Sequence, residues 1–323
     1  MDRYTLYKGI RRAVFYIKNF GYYFLPKFLY RTHSLSELSL FDLKTVQQRV
    51  DYYANLPIEA KIDQKKAIAV ADFKYPFREK KKYATYFFDL YPYVRKQPSQ
   101  CHFNYIFGDI DWEAESPAFV KARPITGKQS NSVICKLNQV RHFLFIDDRK
   151  DFQSKKDMLV FRNIVRRQPQ RQFFIETFTG HPLCDVGQTN NDEHTLNPQL
   201  VKPFMTIEEQ LDYKFVACIE GHDVATNLKW VMSSNSIAVM PRPKFESWFM
   251  EGTLIPNFHY IEVKDDFSDL PEKIKYYIKH TEKALEIIKN AHDYVLQFKN
   301  DKIERIIMQE VVNKYFNSTK QAN

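Results

Sequence analysis

Between Met158 and Val263 the chain alternates short apolar runs with amphipathic ones, and this alternation limits the fold more than any other feature. In order come MLVFRNI, RQFFIETF, TIEEQLDY, KFVACIEG, DVATNLKWVMSS, SIAVM and HYIEV. KFVACI and SIAVM are apolar on both faces, as strands buried beneath helices are. TIEEQLDY and DVATNLKWVMSS read as helices. Strands separated by helices pair in parallel, because a parallel pair needs a crossover between its members. The expected class is therefore α/β with a parallel sheet. RQFFIETF is read as one more strand, and Thr177–Pro203 as a long polar loop of the kind that is often functional.

The rest of the chain is less regular. Val46, Val50 and Tyr53 mark a helix over Leu43–Ala54, while KAIAVADF, CHFNYIFGDID and RHFLFIDDR read as strands, the last two ending in acidic turns. DLPEKIKYYIKH opens with an Asp269/Glu272 capping box and Pro271, and further helices start at Thr281 and Asp301. A chain of 323 residues exceeds the roughly 250–300 at which one core stops growing. Two domains are expected, 1–150 and 151–323, divided near Asp151 in the charged stretch DDRKDFQSKKD, with the last helix packing back on the N-terminal domain.

A net charge of +9 favours an anionic partner: nucleic acid, an acidic membrane surface or a phosphorylated molecule. Cys101, Cys135, Cys184 and Cys218 stand far apart and read as reduced core thiols. The aromatic, basic N-terminus is interrupted by Arg11, Arg12, Lys18 and Lys27 before any apolar run is long enough to span a bilayer, so neither a signal peptide nor a transmembrane helix is expected. It is either an amphipathic segment laying Phe15, Tyr16, Phe20, Tyr22 and Phe24 on a membrane or an ordinary first helix of its domain.

Several residue groups carry candidate chemistry. Gly221 follows the strand at 214–220 and precedes a helix expected from about Val224, where a phosphate could approach the backbone and meet Thr226, Asn227 and Lys229. The plainer alternative is Asp223 as a helix cap and Lys229 in solvent. Asp109 and Asp111 in FGDIDW fit a shared divalent cation, a single general base, or a solvated turn. Arg162, with Arg166, Arg167 and Arg171 after it, can fork onto phosphate or simply carry surface charge. Glu246 and Glu251 flank Trp248–Phe249, where a carboxylate could accept two ribose hydroxyls. There is no zinc spacing among the histidines and cysteines, no serine-hydrolase elbow and no RNA-binding signature.

Three stretches, DMLVFRN, DYKFVACIEGHDVATNLKWVMSSNSIAVM and WFMEGTLIPNFHYIEVKDDFSDLPEKIKYYI, resemble glycosyltransferase family 90, within it the bacterial lipopolysaccharide core hexosyltransferases. The resemblance runs from about Phe107 to Phe298. It implies a GT-B fold, two Rossmann-like domains facing a central cleft. It also implies inverting transfer of glucose or galactose from a UDP-sugar to the inner-core oligosaccharide of lipopolysaccharide, without metal and with no cofactor beyond the UDP-sugar as donor substrate. Asp109 takes the general-base position, with Asp111 in reserve. Arg162 takes the arginine position of the family's FRG element, with Asn163 in place of its glycine. Donor contacts fall to Arg162, Gly221, Thr226, Asn227, Lys229 and Glu246. Asn227 stands where eukaryotic relatives carry arginine. The implied partners are a UDP-hexose, a lipid-linked core oligosaccharide and an anionic membrane surface, without nucleic acid, and the implied location is cytoplasmic, peripheral on the inner membrane. Two other readings stand beside it: a metal-dependent GT-A transferase using Asp109 and Asp111, and a non-catalytic basic protein binding membrane or nucleic acid.

Overall fold

The computed structural model describes residues 3–26, 38–57, 60–77, 83–166, 168–192, 195 and 197–320. Lys27 and Arg167 lie outside them. The chain forms two units. The first comprises Met1–Arg11, Arg141–Lys244 and Gly252–Gln297; the second comprises Arg12–Val140, Phe245–Glu251 and Phe298–Asn323. The first unit thus takes in Met1–Arg11 and resumes at Arg141, ahead of the boundary drawn at Asp151, and the last helix belongs to the second unit with Arg12–Val140.

In the second unit, α1 (Arg3–Phe24, of which Arg12 onward belongs here) and α2 (Leu40–Tyr53) precede β1 (Ile68–Ala69), α3 (Ala84–Val94), β2 (His102–Phe103), β3 (Ala118–Val120), β4 (Ala122–Pro124) and β5 (Ser132–Ile134). The strands are short: β1 runs antiparallel to β2, and β3 parallel to β5. Aromatic packing replaces an extended sheet as the source of core. Phe20 of α1 meets Phe88 of α3 at 4.7 Å, and Tyr75 lies 4.9 Å from Phe88 and 5.3 Å from Phe87. Tyr16 and Phe20 therefore face α3, as in an ordinary first helix, rather than outward. The closing helix, Asp301–Ser318, is held by Glu304, whose carboxylate takes Arg49 at 2.6 Å, Lys136 at 2.7 Å and the Trp248 indole at 2.7 Å.

After the single turn α4 (Gln139–His142) come β6 (Lys156–Asn163), α5 (Pro169–Phe178), β7 (Cys184–Gln188), α6 (Ile207–Gln210), β8 (Tyr213–Ala217), α7 (Leu228–Met232) and β9 (Ile237–Met240). Then follow β10 (Phe245–Ser247), which pairs antiparallel with β4 in the second unit, β11 (Ile261–Glu262), α8 (Leu270–Lys279), α9 (Thr281–Leu296) and α10 (Asp301–Ser318). The first unit's sheet has the order β11-β9-β8-β6-β7, every pair parallel. This is the α/β class with a parallel sheet expected from the alternation. Its core gathers Leu159, Phe161, Phe174, Val186, Phe215, Ala217, Val239 and Ile261 with Ile274 and Ile287 of α8 and α9.

Several local expectations are corrected. RQFFIETF is helical: Phe174, Ile175 and Phe178 are buried on one helical face, each worth about 1.5–3 kcal/mol of burial, and Pro169 opens the helix. Its contiguous Phe-Phe-Ile run imitates a strand. The expected polar loop after it contains β7, the partner that α5 connects to β6. RHFLFIDDR forms no strand beyond the turn of α4. Asp269 makes no cap; its carboxylate instead accepts from the Lys264 amide at 2.9 Å. All four cysteines are buried and none forms a disulfide. Among the described residues no helix is long and apolar enough to cross a membrane.

Candidate active site

Chain order reverses direction between β6 and β8, the first and third strands of the parallel sheet. At such a switch point the connections leave toward opposite faces and open a crevice beyond the carboxyl ends of the strands. Arg171, in the first turn of α5, spans it. Its Nη1 donates to the Ile164 carbonyl beyond β6 at 3.2 Å, while Nε and Nη2 donate to the Ile219 and Glu220 carbonyls beyond β8 at 2.9–3.1 Å. Gly221 lies under this guanidinium: a Cβ there would stand 3.1 Å from Nη2. The space a phosphate was expected to enter at Gly221 thus holds an arginine.

The helix expected from Val224 is shorter than the sequence suggests. Residues 221–224 form a bend and only Leu228–Met232 are helical, so no helix N-terminus points out at Gly221. Asn227 donates to the Ala217 carbonyl at 2.9 Å and ties the turn to the end of β8, with Thr226 half-buried beside it. Lys229 is completely buried, in the electrostatic neighbourhood of Cys218, whose thiol burial pushes far up. Its side chain belongs to the interior and is not solvated.

Arg162 occupies the end of β6 but turns along the sheet. Nη2 meets Asp185 Oδ1 on β7 at 2.6 Å and Nη1 donates to the Asp185 carbonyl at 2.8 Å. Asp185 also takes Lys202 at 2.9 Å and the Tyr213 hydroxyl at 2.7 Å. Burial opposes its charge, yet the hydrogen bonds from Arg162, Tyr213 and Lys202 together hold its carboxyl well below the usual range. Burial, then the bond to Asp185, pushes the Tyr213 phenol up to about 12. Arg162 is therefore committed to an ion pair in this conformation.

The other candidates lie in the second unit. Gly108 has φ +116°, and a Cβ there would stand 3.0 Å from the Tyr83 hydroxyl, so this turn calls for glycine. The turn sets out Asp109, exposed, in an ion pair with Lys121, the buried residue between β3 and β4. Asp111 is exposed on the same loop. Glu246 is buried on β10, where Arg123 Nε donates to Oε1 at 2.8 Å and the Tyr52 hydroxyl binds Oε2. Among the described residues no three His, Cys, Asp or Glu side chains are grouped to hold a metal ion. Arg171, Lys121 and Asp185 were not singled out as site residues from sequence. Only Arg171 left a signal, the arginine cluster after β6, obscured once its segment was read as a strand.

The model of glycosyl transferase family 90 matches residues 134–321. Over 308 residues, 94% of either chain, the sequence is 37% identical to the O-glucosyltransferase LpsA of Dichelobacter nodosus. The chain belongs to glycosyl transferase family 90. An uncharacterised protein, 179R, of Invertebrate iridescent virus 6 shares 36% identity over 94 residues, which are 27% of this family 90 chain but 8% of the viral one. The C-terminal domain of the glycosyl transferase group 1 family protein LpcC from Francisella tularensis overlaps 48% of the chain and 95% of its own at 14% identity and a TM-score of 0.34, a likeness too loose to bear on the site.

Proposed function

We propose that this family 90 chain transfers a hexose, glucose before galactose, from a UDP-sugar to the inner-core oligosaccharide of a lipopolysaccharide precursor, with inversion and without metal. The observation that carries the reading is the near full-length similarity to an O-glucosyltransferase. Asp109 acts as general base: it takes the proton of the acceptor hydroxyl as that oxygen bonds to the anomeric carbon and the bond to UDP breaks. An exposed carboxylate on a glycine-determined turn suits that role, and Lys121 holds it in place. The Lys121 ammonium on Oδ1 favours this reading over a cation shared with Asp111, because a metal would have to displace it.

The departing diphosphate carries negative charge and calls for fixed donors. In the first unit the switch point supplies Arg171, with Arg162 close behind at the end of β6. Asn227 and Thr226 shape the turn, and Lys229 adds positive charge from the interior. The test is the melting temperature with UDP, GDP, ADP and UMP, each with and without EDTA, followed by a transfer assay with UDP-glucose and UDP-galactose. A ligand that binds only the folded state raises the melting temperature by mass action. A rise for UDP that survives EDTA, followed by hexose transfer, supports the proposal. No rise with any nucleotide overturns it, and a UDP effect abolished by EDTA points to the Asp109/Asp111 metal site.

A further inference from the structure

Of the five aromatic residues that suggested a membrane-facing side of α1, only Phe24 lies on its exposed apolar stripe. Tyr16 and Phe20 pack against α3, while Leu6 (47% exposed), Ile10 (54%), Val14 (55%), Ile17 (74%) and Phe24 (70%) stay in solvent. At about 100° per residue these five positions fall within an arc of about 80°, a continuous apolar stripe along the helix. A monomeric protein rarely leaves so ordered an apolar row uncovered. The same helix carries Arg3, Lys8, Arg11, Arg12 and Lys18 and no Asp or Glu.

We infer that this stripe is a docking face for an anionic lipid surface, with the helix lying in the plane of the headgroups and Ile10, Val14, Ile17 and Phe24 reaching the acyl boundary. A helix with one apolar face and only basic charge has the pattern that interfacial helices use. A second copy of the chain is a poorer occupant, because pairing two such helices through their stripes brings ten cations together with no carboxylate from either helix to offset them. The inference is independent of the sugar transfer proposed above, since it concerns binding alone.

The test is flotation of the purified full chain with vesicles of phosphatidylcholine alone and of phosphatidylcholine with one-third phosphatidylglycerol, at low and at 0.5 M salt. Binding to the anionic vesicles, weakened by salt and reduced by about tenfold or more in Ile10→Asn/Ile17→Asn, is the expected result. Both residues are exposed, and an unchanged melting temperature of the variant shows that the fold is intact. No binding to anionic vesicles, or equal binding by the variant, overturns the inference. So does a wild-type dimer in sedimentation that dissociates in the variant without any vesicle binding, which would assign the stripe to a second copy.

Discussion

Arg162 on β6 and Asp185 on β7 are diagonal neighbours on one face of the parallel sheet, with Nη2 2.6 Å from Oδ1. The pair is mostly shielded from solvent, and Asp185 completes its shell with Lys202 and Tyr213. Arg162→Ala would leave that carboxylate with two partners in place of three. We expect a loss of about 2 kcal/mol in urea unfolding, below the usual cost of breaking a fully buried pair because Lys202 and Tyr213 remain. If Arg162 serves only the sheet, UDP affinity of the folded variant stays within about twofold of wild type. A tenfold weaker affinity would show that the guanidinium leaves Asp185 to meet the diphosphate.

Asp109 lies on an exposed turn and contributes no buried packing. Asp109→Asn should therefore lower the rate constant for transfer by about a hundredfold or more while the melting temperature shift with UDP is kept. Turnover near wild type would remove Asp109 from the mechanism and move attention to Asp111.

Gly221 faces the Arg171 guanidinium at the switch point, with no room between them for an unstrained side chain. Gly221→Ala puts a methyl group 3.1 Å from Nη2, so the guanidinium must give by a few tenths of an ångström, which strains its bonds to the Ile219 and Glu220 carbonyls. The expected result is weaker UDP binding, by about three- to tenfold, with a stability loss of about 1 kcal/mol. Arg171→Ala should weaken UDP at least as much; unchanged affinity in both variants would place the diphosphate elsewhere.

Asp89 in α3 is wholly buried, and burial pushes its carboxyl up to about 7 against the opposing hydrogen bonds from Gln139, whose amide and side chain donate at 3.0 and 2.5 Å. The folded state therefore keeps a proton that the unfolded chain loses near pH 4. Stability from this group is full below pH 4, falls as pH rises toward 7, and is flat above. Urea unfolding at pH 5 and pH 8 should show wild type losing roughly 2–4 kcal/mol more than Asp89→Asn across that interval. Equal losses would mean that Asp89 ionises at the same pH folded and unfolded.

Local pattern alone determined the class of fold and most of its helices. A strand buried on both faces must be apolar throughout, and a helix must repeat its apolar residues every three or four positions. KFVACI, SIAVM and the segments starting at Thr281 and Asp301 carry those marks regardless of their neighbours. The glycine turn before Asp109 was legible for the same reason, as a local conformation. What tertiary structure decided was every feature that depends on which elements meet. RQFFIETF became a helix because β6 and β7 pair in parallel and need a crossover between them. Arg171 became the bridge across the switch point because β6 and β8, separated by about fifty residues in the chain, end side by side. Lys229 and Arg162 read as donors to a ligand, and Glu246 as an acceptor from one, because their types suit it. Their burial and their partners were set by packing, which holds a charged side chain inside only where surrounding groups satisfy it.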